Sequence, residues 1–233
     1  MIVLSEVTKS FHKLAVLRGL SLAVEPGELV GLIGSNGAGK STALRVLVGE
    51  LIADSGSASI GNHSVQDEPI LARANLGYVP QDSGVEPFLT GEEVLRFVAE
   101  VRGVNPDAQT DALLTQFHLQ DARRRLTREY SEGMARRLAI AAAFVGNPPA
   151  LVLDESLNGL DPRGARIVRD NLEKRRQEGA AILMTGHVLE TMETLCTRIA
   201  LLHKGQIVLN MSIEEIRASG KSLESLYMET TAE

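Results

Sequence analysis

The segment with the sequence GSNGAGKS, residues 34–41, restricts the possible folds of this chain more than any other feature. It follows the pattern G-x-x-x-x-G-K-[ST], and it lies between the apolar run Leu29–Ile33 and a helical run at residues 41–48. Glycines allow the backbone to curl so that successive N–H groups point at phosphate oxygens, and a helix start adds the positive end of its dipole. The pattern therefore predicts a phosphate-binding loop between a strand and a helix.

The side chains of this loop have distinct predicted roles. Lys40 supplies a mobile cation for the β- and γ-phosphates, the Ser41 hydroxyl can ligate Mg²⁺, and Thr42 offers a further donor near the α-phosphate. A tight glycine turn followed by an exposed lysine is the structural alternative, which the complete pattern disfavours. Kinases, GTPases and transport ATPases share such a loop, so the loop alone leaves the reaction open. The predicted phosphate-binding residues are Gly34, Ser35, Asn36, Gly37, Ala38, Gly39, Lys40, Ser41 and Thr42.

Short apolar runs, each followed by a polar loop, occur along the rest of the chain. Because they are apolar on both faces and are separated by helical stretches, they predict a buried, mainly parallel sheet in an α/β fold. Runs nearer the N-terminus carry more polar residues, which is typical of an antiparallel sheet at the edge of the core. The core runs lie at residues 29–33, 150–153, 181–184, 198–202 and 206–209, and the edge runs at 2–8, 20–24 and 57–60, with a weaker one at 15–17.

A helical block interrupts this pattern between residues 87 and 146. Its first helix is expected to begin with a capping box formed by Thr90 and Glu93 and to run through residue 102. The apolar positions expected to share one face of that helix are Val94, Leu95, Val98 and Val101. The other two predicted helices lie around residues 113–117 and at residues 132–145.

These patterns predict one domain over residues 1–233. It has a P-loop NTPase (RecA-like) parallel-sheet core, an N-terminal antiparallel β subdomain and an inserted α-helical subdomain. A C-terminal helix, with Ser212 as its cap, is expected over residues 213–228. The predicted boundaries place the core with its β subdomain at residues 1–86 and 147–210, the helical subdomain at 87–146 and the helical tail at 211–233.

Composition and charge exclude several classes of function. The chain has a net charge of −6 and no Trp, so it lacks the basic surface and aromatic platforms of a nucleic-acid-binding protein.

The N-terminus does not read as a signal peptide, and the longest apolar run, residues 138–145, is far shorter than the ~20 residues of a membrane-spanning helix. We therefore expect membrane contact only through another subunit. The single cysteine, Cys196, lies in an apolar run and is expected to be a buried core residue.

Two adjacent carboxylates, Asp154 and Glu155, follow one of the core runs. At the C-terminal edge of a parallel sheet, Asp154 would lie beside Ser41 and Mg²⁺, and Glu155 would extend to the position of an attacking water. One carboxylate that orients a metal and one that polarises water suit hydrolysis. A solvated helix cap is the alternative, and the phosphate loop makes it less favourable.

Five further segments occur in a fixed order and give the chain a resemblance to a known family. They resemble, in turn, an aromatic residue that contacts adenine, a Q-loop, a signature segment, a D-loop and a switch histidine. The sequence thus resembles the nucleotide-binding subunit of an ATP-binding cassette (ABC) transporter over nearly its whole length. The segments are Phe11, Tyr78-Val79-Pro80-Gln81, Tyr130-Ser131-Glu132-Gly133-Met134, Asn158-Gly159-Leu160-Asp161-Pro162 and Thr185-Gly186-His187.

The resemblance implies an ATPase that uses ATP and Mg²⁺ and drives a separate transmembrane permease from the cytoplasmic face of the cell membrane. Lys40, Glu155 and His187 would be its catalytic residues, and Ser41, Asp154 and Gln81 would hold the metal. Structural roles remain open for two of these: His187 as an ordinary residue after a strand, and Gln81 as a polar loop residue.

The resemblance also implies a second ATPase subunit. Ser131 is expected to cap the helix at residues 132–145, so that its hydroxyl and the helix N-terminus can face an anion. In the family this end, with Gly133, closes over the γ-phosphate bound by the other subunit, and Asp161 would lie at the interface. Phe11 would contact adenine, although an edge-strand core position is the alternative.

The signature departs from the family form because Glu132 replaces a glycine and Met134 a glutamine. Glu132 either points to solvent or weakens closure of the site. This form of the signature and the short tail at residues 222–227 resemble bacterial drug and multi-substrate exporters, so export is the expected direction. The alternatives are a non-transport ABC-type ATPase, for translation, DNA repair or iron–sulfur assembly, and a P-loop kinase, which would lack the Ser131 signature and the D-loop.

Overall fold

A computed structural model describes residues 1–82 and 84–231, and this part of the chain contains two β-sheets and a set of helices. The strands are β1 (Ile2–Phe11), β2 (Leu14–Val24), β3 (Leu29–Ile33), β4 (Ser55–Ile60), β5 (His63–Ser64), β6 (Leu76–Val79), β7 (Ala150–Leu153), β8 (Ala181–Thr185), β9 (Arg198–His203) and β10 (Gln206–Ser212). The helices are α1 (Lys40–Leu47), α2 (Pro69–Ala74), α3 (Gly91–Val101), α4 (Pro106–Gln116), α5 (Glu132–Phe144), α6 (Pro162–Gln177), α7 (Leu189–Leu195), α8 (Ile213–Ala218) and α9 (Leu223–Thr231).

The larger sheet has the strand order β10-β9-β3-β8-β7-β6, and only β10 runs antiparallel to its neighbour. Successive residues of its central strand β3 enter different hydrophobic cores. Leu29 and Ile33 pack on the face of the sheet that contacts α3 to α6. Val30 and Leu32 pack on the opposite face, with α1 and the smaller sheet. Burial on both faces explains why the core runs of the sequence are apolar throughout instead of alternating.

The smaller sheet is antiparallel and has the order β2-β1-β4-β5, which confirms the predicted edge sheet. One detail of the prediction was wrong, because the runs at 15–17 and 20–24 belong to the single strand β2. Gly19, with φ of 80°, lies between the two runs, and a register shift between β1 and β2 absorbs the irregularity without ending the strand.

The helical block contains α3, α4 and α5, with two short 3₁₀ turns between the last two. The predicted capping box is confirmed, because Thr90 accepts from the Glu93 N–H and the Glu93 side chain accepts from the Thr90 N–H. Val101 belongs to the predicted apolar face by spacing but is 71% exposed, since α3 ends there, and the buried apolar positions of this helix are Leu95 and Ala99.

The C-terminal helix was also predicted incorrectly. Ser212 does cap a helix, but that helix, α8, stops at Ala218, and α9 follows as a separate element. Gly220 has φ of 69°, a left-handed conformation that ends the first helix. Residues 83, 232 and 233, which the predicted core and tail included, lie outside the described residues. We propose the division into core, helical subdomain (87–146) and tail as given above.

Two other expectations concern burial and the membrane. Cys196 is buried as expected, and burial raises the pKa of its thiol, so it is a core residue. Over residues 1–82 and 84–231, none of the helices has the combined length and apolarity that crossing a bilayer requires.

Candidate functional site

The loop at residues 34–39 connects the end of β3 to α1. Gly37 and Gly39 have φ of 80° and 110°, a left-handed conformation that residues with a side chain rarely adopt. At Gly34 an added β-carbon would collide with the backbone carbonyl oxygen of Leu202 at the end of β9. The glycines of the pattern therefore allow both the curl of the loop and its close approach to the sheet.

Lys40 begins α1 and is buried beside this loop. Its ammonium donates to the carbonyl oxygens of Gly34 at 2.7 Å and Ser35 at 3.1 Å. Desolvation lowers the pKa of Lys40, although the nearby carboxylates of Glu155 and Asp154 oppose that shift. No side chain of the described residues caps the N-terminus of α1. A buried cation beside an uncapped helix start fits a bound polyphosphate.

Asp154 follows β7 and is buried at the C-terminal edge of the sheet. Its carboxylate accepts from the Thr185 hydroxyl at 2.5 Å, and the Ser41 side chain lies nearby. Burial raises the pKa of Asp154, and the hydrogen bond from Thr185 opposes this shift. The Ser41 hydroxyl and the Asp154 carboxylate are adjacent oxygen ligands, so this donor set fits Mg²⁺ beside the phosphate loop.

Glu155 is the point at which several predicted site residues meet. Its φ of 46° is left-handed, a strain of about 1–3 kcal/mol, and its N–H donates to the Thr185 Oγ1 at 2.9 Å. Its carboxylate oxygen Oε2 accepts from Asn158 Nδ2 at 3.2 Å and from Gln81 Nε2 at 3.4 Å. The same oxygen lies 3.9 Å from His187 Nδ1. The carboxylate is thereby held in one orientation near Lys40 and Asp154.

Two residues of this cluster had no individual role in the sequence-based prediction. Thr185 contacts both Asp154 and Glu155, and Asn158 donates to Glu155. The pairing of β7 with β8 places Leu153 opposite Met184, so the next residues, Asp154 and Thr185, are neighbours. A hydroxyl directly after a buried apolar run was the signal in the sequence, but only the strand order shows what it contacts.

The signature segment lies outside this cluster. Ser131 caps α5 as predicted, since its hydroxyl oxygen accepts the Met134 N–H at 3.2 Å. Gly133 lies against the loop after β7, where an added β-carbon would be 3.5 Å from the Gly159 carbonyl oxygen. The exposed Glu132 side chain extends along the same loop, so a β-carbon on Gly159 would lie 2.7 Å from the Glu132 Cδ.

Asp161 and Phe11 also lie outside the cluster around Glu155. Asp161 caps α6, and its carboxylate accepts the Gly164 N–H at 2.7 Å. Phe11 ends β1 with 40% of its surface exposed, and the Lys9 ammonium lies 5.8 Å from its ring centroid. An exposed aromatic ring at this position leaves a face open for stacking.

The buried Asp154 gives a prediction for stability. Because burial raises its pKa above the unfolded value, ionisation of Asp154 destabilises the folded state at all pH values above about 3.9. We expect Asp154→Asn to raise the free energy of unfolding of the nucleotide-free protein at neutral pH. The gain over wild type should disappear as the pH falls below about 3.9, where neither state ionises this group.

Urea unfolding across this pH range measures the effect. Asp121→Asn is the matched control, since Asp121 is exposed and its replacement should produce no such gain. A lower urea midpoint for Asp154→Asn than for wild type at neutral pH would contradict the prediction.

Comparison with known proteins identifies the family. The model of the family described as ABC transporter matches residues 17–158, more than half of the chain. An uncharacterized ABC transporter ATP-binding protein of Bacillus subtilis, YhcH, is 35% identical over 207 residues, which are 88% of this chain and 68% of that protein. The phospholipid-transporting ATPase ABCA3 of Rattus norvegicus is 34% identical over 96% of this chain. The chain spans only 14% of the length of that protein.

Solved structures agree with this assignment. The structure of an ATP-binding subunit of an ABC transporter superimposes with a TM-score of 0.92 and 30% identity, covering 99% of both chains. The dimeric post-hydrolysis state of the cassette MJ0796 with ADP and Pi superimposes with a TM-score of 0.83, and at 23% identity it supports the fold alone. The strand-linked phosphate loop, the paired carboxylates and these matches lead to one conclusion: the chain belongs to the ABC transporter family and has the fold of its ATP-binding ATPase domain.

Proposed function

We propose that the chain hydrolyses MgATP between two ATPase subunits and thereby drives transport through a membrane-spanning partner. One observation carries this proposal: the Glu155 carboxylate is held by two side-chain amides, next to the buried Lys40 and the Asp154–Ser41 pair. Such an arrangement brings a base, a cation and two candidate metal ligands together at the end of the phosphate loop.

Each side chain of the cluster has a proposed role in hydrolysis. Glu155 accepts a proton from the attacking water, and the amides of Asn158 and Gln81 keep its carboxylate in position. Lys40 leaves the carbonyl oxygens of the loop and donates to the terminal phosphates instead, so that it stabilises their charge as the bond breaks. His187 contacts the γ-phosphate from the edge of the cluster. Mg²⁺, held by Ser41 and Asp154 with Gln81 beside them, would neutralise further phosphate charge.

We propose that the signature segment acts on a second subunit. Ser131 is exposed, and it caps the N-terminus of α5 rather than contacting the Glu155 cluster. An exposed hydroxyl on a helix start can donate to an anion that another subunit presents. Solved cassettes with this fold have been described as dimers, which supports the arrangement. Phe11 would stack on the adenine, and Asp161 would approach the subunit interface.

A groove on the helical block is our proposed contact with the membrane subunit. It has a volume of about 530 Å³ and is lined on one side by Val94, Phe97 and Val98 of α3. Two aromatic side chains at this block are largely exposed, Phe88 at 68% and Phe97 at 61%. Exposed aromatics around an apolar groove are typical of sites that receive the apolar face of a helix. We therefore propose that a cytoplasmic helix of the permease docks here, which would place the chain at the inner face of the membrane.

We propose export as the direction of transport. The signature form with Glu132 and Met134, together with the short tail, resembles exporters of drugs and other varied substrates. Several relatives are named phospholipid-transporting ATPases, which is compatible with an apolar or amphipathic substrate. The substrate itself would be selected by the permease.

Phosphate release in the absence of any acceptor molecule tests the proposed reaction. Purified protein with ATP and Mg²⁺ should release phosphate steadily, and chelation of Mg²⁺ should stop it. A P-loop kinase would instead transfer the γ-phosphoryl group to a metabolite, so ADP formation that depends on an added acceptor and releases no free phosphate would favour that class. If the protein also releases phosphate but no permease copurifies from native membranes, the non-transport ATPase becomes the better assignment.

A further inference from the structure

Arg136 is a buried charged residue that the proposed reaction does not use. It lies on α5, the helix that Ser131 caps, and it is 7% exposed. Its recorded hydrogen-bond partners are backbone carbonyls and not carboxylates, and among the described residues its Nε has no partner at all. Burying a guanidinium without a neutralising carboxylate is unfavourable, because the group loses its hydration. The hydrogen bonds that Arg136 does make therefore indicate the role of its side chain in the fold.

Those contacts connect α5 to the residue beside Glu155. Arg136 Nη1 donates to the carbonyl oxygen of Gln81 at 2.6 Å and to that of Pro80 at 3.3 Å. The side chain of Gln81 in turn donates to Glu155 Oε2 at 3.4 Å. A rotation of α5 would thus pull on the backbone of Gln81 and change how its amide meets the Glu155 carboxylate.

The start of α5 is also connected to the proposed docking groove. Tyr130 directly precedes Ser131, and its hydroxyl donates to the Ala122 carbonyl oxygen at 2.8 Å. The same hydroxyl fills the space where a side chain on Gly91 would lie, and Gly91 is the first residue of α3. Since α3 lines the groove, movement of this helix would be transmitted through the Gly91–Tyr130 contact to α5.

We propose that Arg136 is a positioning residue that makes the Gln81 backbone follow α5, so that a shift of α5 changes the contact between Gln81 and Glu155. The inference rests on the proposed function and adds a positioning residue to it. In the subunit alone, Arg136 holds Gln81 in the position that orients Glu155. Without Arg136, the carbonyl oxygens of Pro80 and Gln81 lose these two hydrogen bonds to α5, and Glu155 loses the amide of Gln81 for part of the time.

Replacement of Arg136 by methionine in the full chain tests this inference. We expect kcat for ATP hydrolysis to fall about tenfold, since a misplaced group near the reacting atoms lowers the rate. The KM for ATP should change less than about twofold, because the phosphate loop and Lys40 are not altered. Arg136→Lys should recover part of the lost kcat, since an ammonium can still donate to a carbonyl oxygen. If Arg136→Met does not fold, Arg136→Gln gives the same comparison.

A double-mutant cycle separates positioning from a general loss of stability. If Arg136 acts through Gln81, then Arg136→Met in a Gln81→Ala background should lower kcat no further. Arg175→Met is the control, because Arg175 is also 7% exposed, and it donates to the Pro148 carbonyl oxygen and to Glu178 and not to the Glu155 cluster. We expect it to destabilise the protein in urea while leaving kcat unchanged.

Three results would overturn the inference: wild-type kcat in Arg136→Met, full additivity with Gln81→Ala, or an equal loss of kcat in Arg175→Met. These results are distinguishable from a failure of the proposed function. Absence of hydrolysis by the wild-type chain would overturn the proposed function, and this inference with it. Normal wild-type hydrolysis with an unaltered Arg136→Met variant would overturn the inference alone.

Discussion

Glu155→Gln is expected to lower kcat for ATP hydrolysis at least about 100-fold, which is the contribution of a positioned general base. Glutamine has nearly the same shape, and its amide oxygen can still accept hydrogen bonds from Asn158 and Gln81. It cannot take a proton from water at neutral pH. ATP binding should therefore persist, and the protein should accumulate as an ATP-bound dimer because the step that reopens it is blocked.

Phosphate release and size-exclusion chromatography with ATP measure the two parts of this prediction. Glu190→Gln is the control, because Glu190 is an exposed carboxylate on α7 that lines the same cleft as Glu155 but does not belong to its hydrogen-bonded cluster. It removes the same charge and should keep kcat within about twofold. Hydrolysis by Glu155→Gln at the wild-type rate would show that another group activates the water.

The second large effect is expected for Lys40→Met. Lys40 is the buried cation of the phosphate loop, and its removal takes away the side-chain charge that we expect to neutralise the bound phosphates. Loss of one member of a buried, hydrogen-bonded charge pair costs about 2–5 kcal/mol, which corresponds to a roughly 30- to 4,000-fold rise in the Kd for MgATP. The nucleotide-free protein should keep its stability, since a methionine replaces a desolvated ammonium with an apolar group of similar length.

Calorimetric titration with MgATP and urea unfolding test these statements together. Lys174→Met removes an equal charge from an exposed position on α6 and should change neither the Kd nor the urea midpoint appreciably. An unchanged Kd in Lys40→Met would mean that the backbone of the loop alone holds the phosphates. A large loss of stability in the same variant would mean that the hydrogen bonds to Gly34 and Ser35 support the fold itself.

Some parts of the structure were predictable because their sequence signals depend only on residues close together in the chain. The glycine pattern of the loop was sufficient because each glycine meets a local requirement, such as the left-handed φ of Gly39. The caps at Thr90, Ser131 and Ser212 were predictable because a capping hydroxyl and the backbone N–H that donates to it lie within one helical turn. The buried strands were readable because both of their faces are apolar.

The prediction failed where one local signal was too weak to decide between alternatives. Helical residues on both sides of Gly220 suggested one continuous helix, but the left-handed φ of this glycine ends α8, and α9 follows as a separate helix. Val101 fitted the apolar stripe of α3 by spacing, yet the helix ends there and the side chain stays in solvent. The spacing of apolar residues shows which of them share one side of a helix, but it does not show whether another part of the fold covers each of them.

The sequence by itself determined the α/β class, the phosphate loop and the carboxylates that follow β7, because these depend on residues close together in the chain. Only the tertiary structure decided that Thr185 joins Asp154 to Glu155 and that Arg136 holds Gln81. Parallel strands pair residues that are far apart in sequence, and a helix contacts whichever loop the fold brings to it. Contacts of this kind follow from the packing of the whole domain, so no pattern of neighbouring residues encodes them.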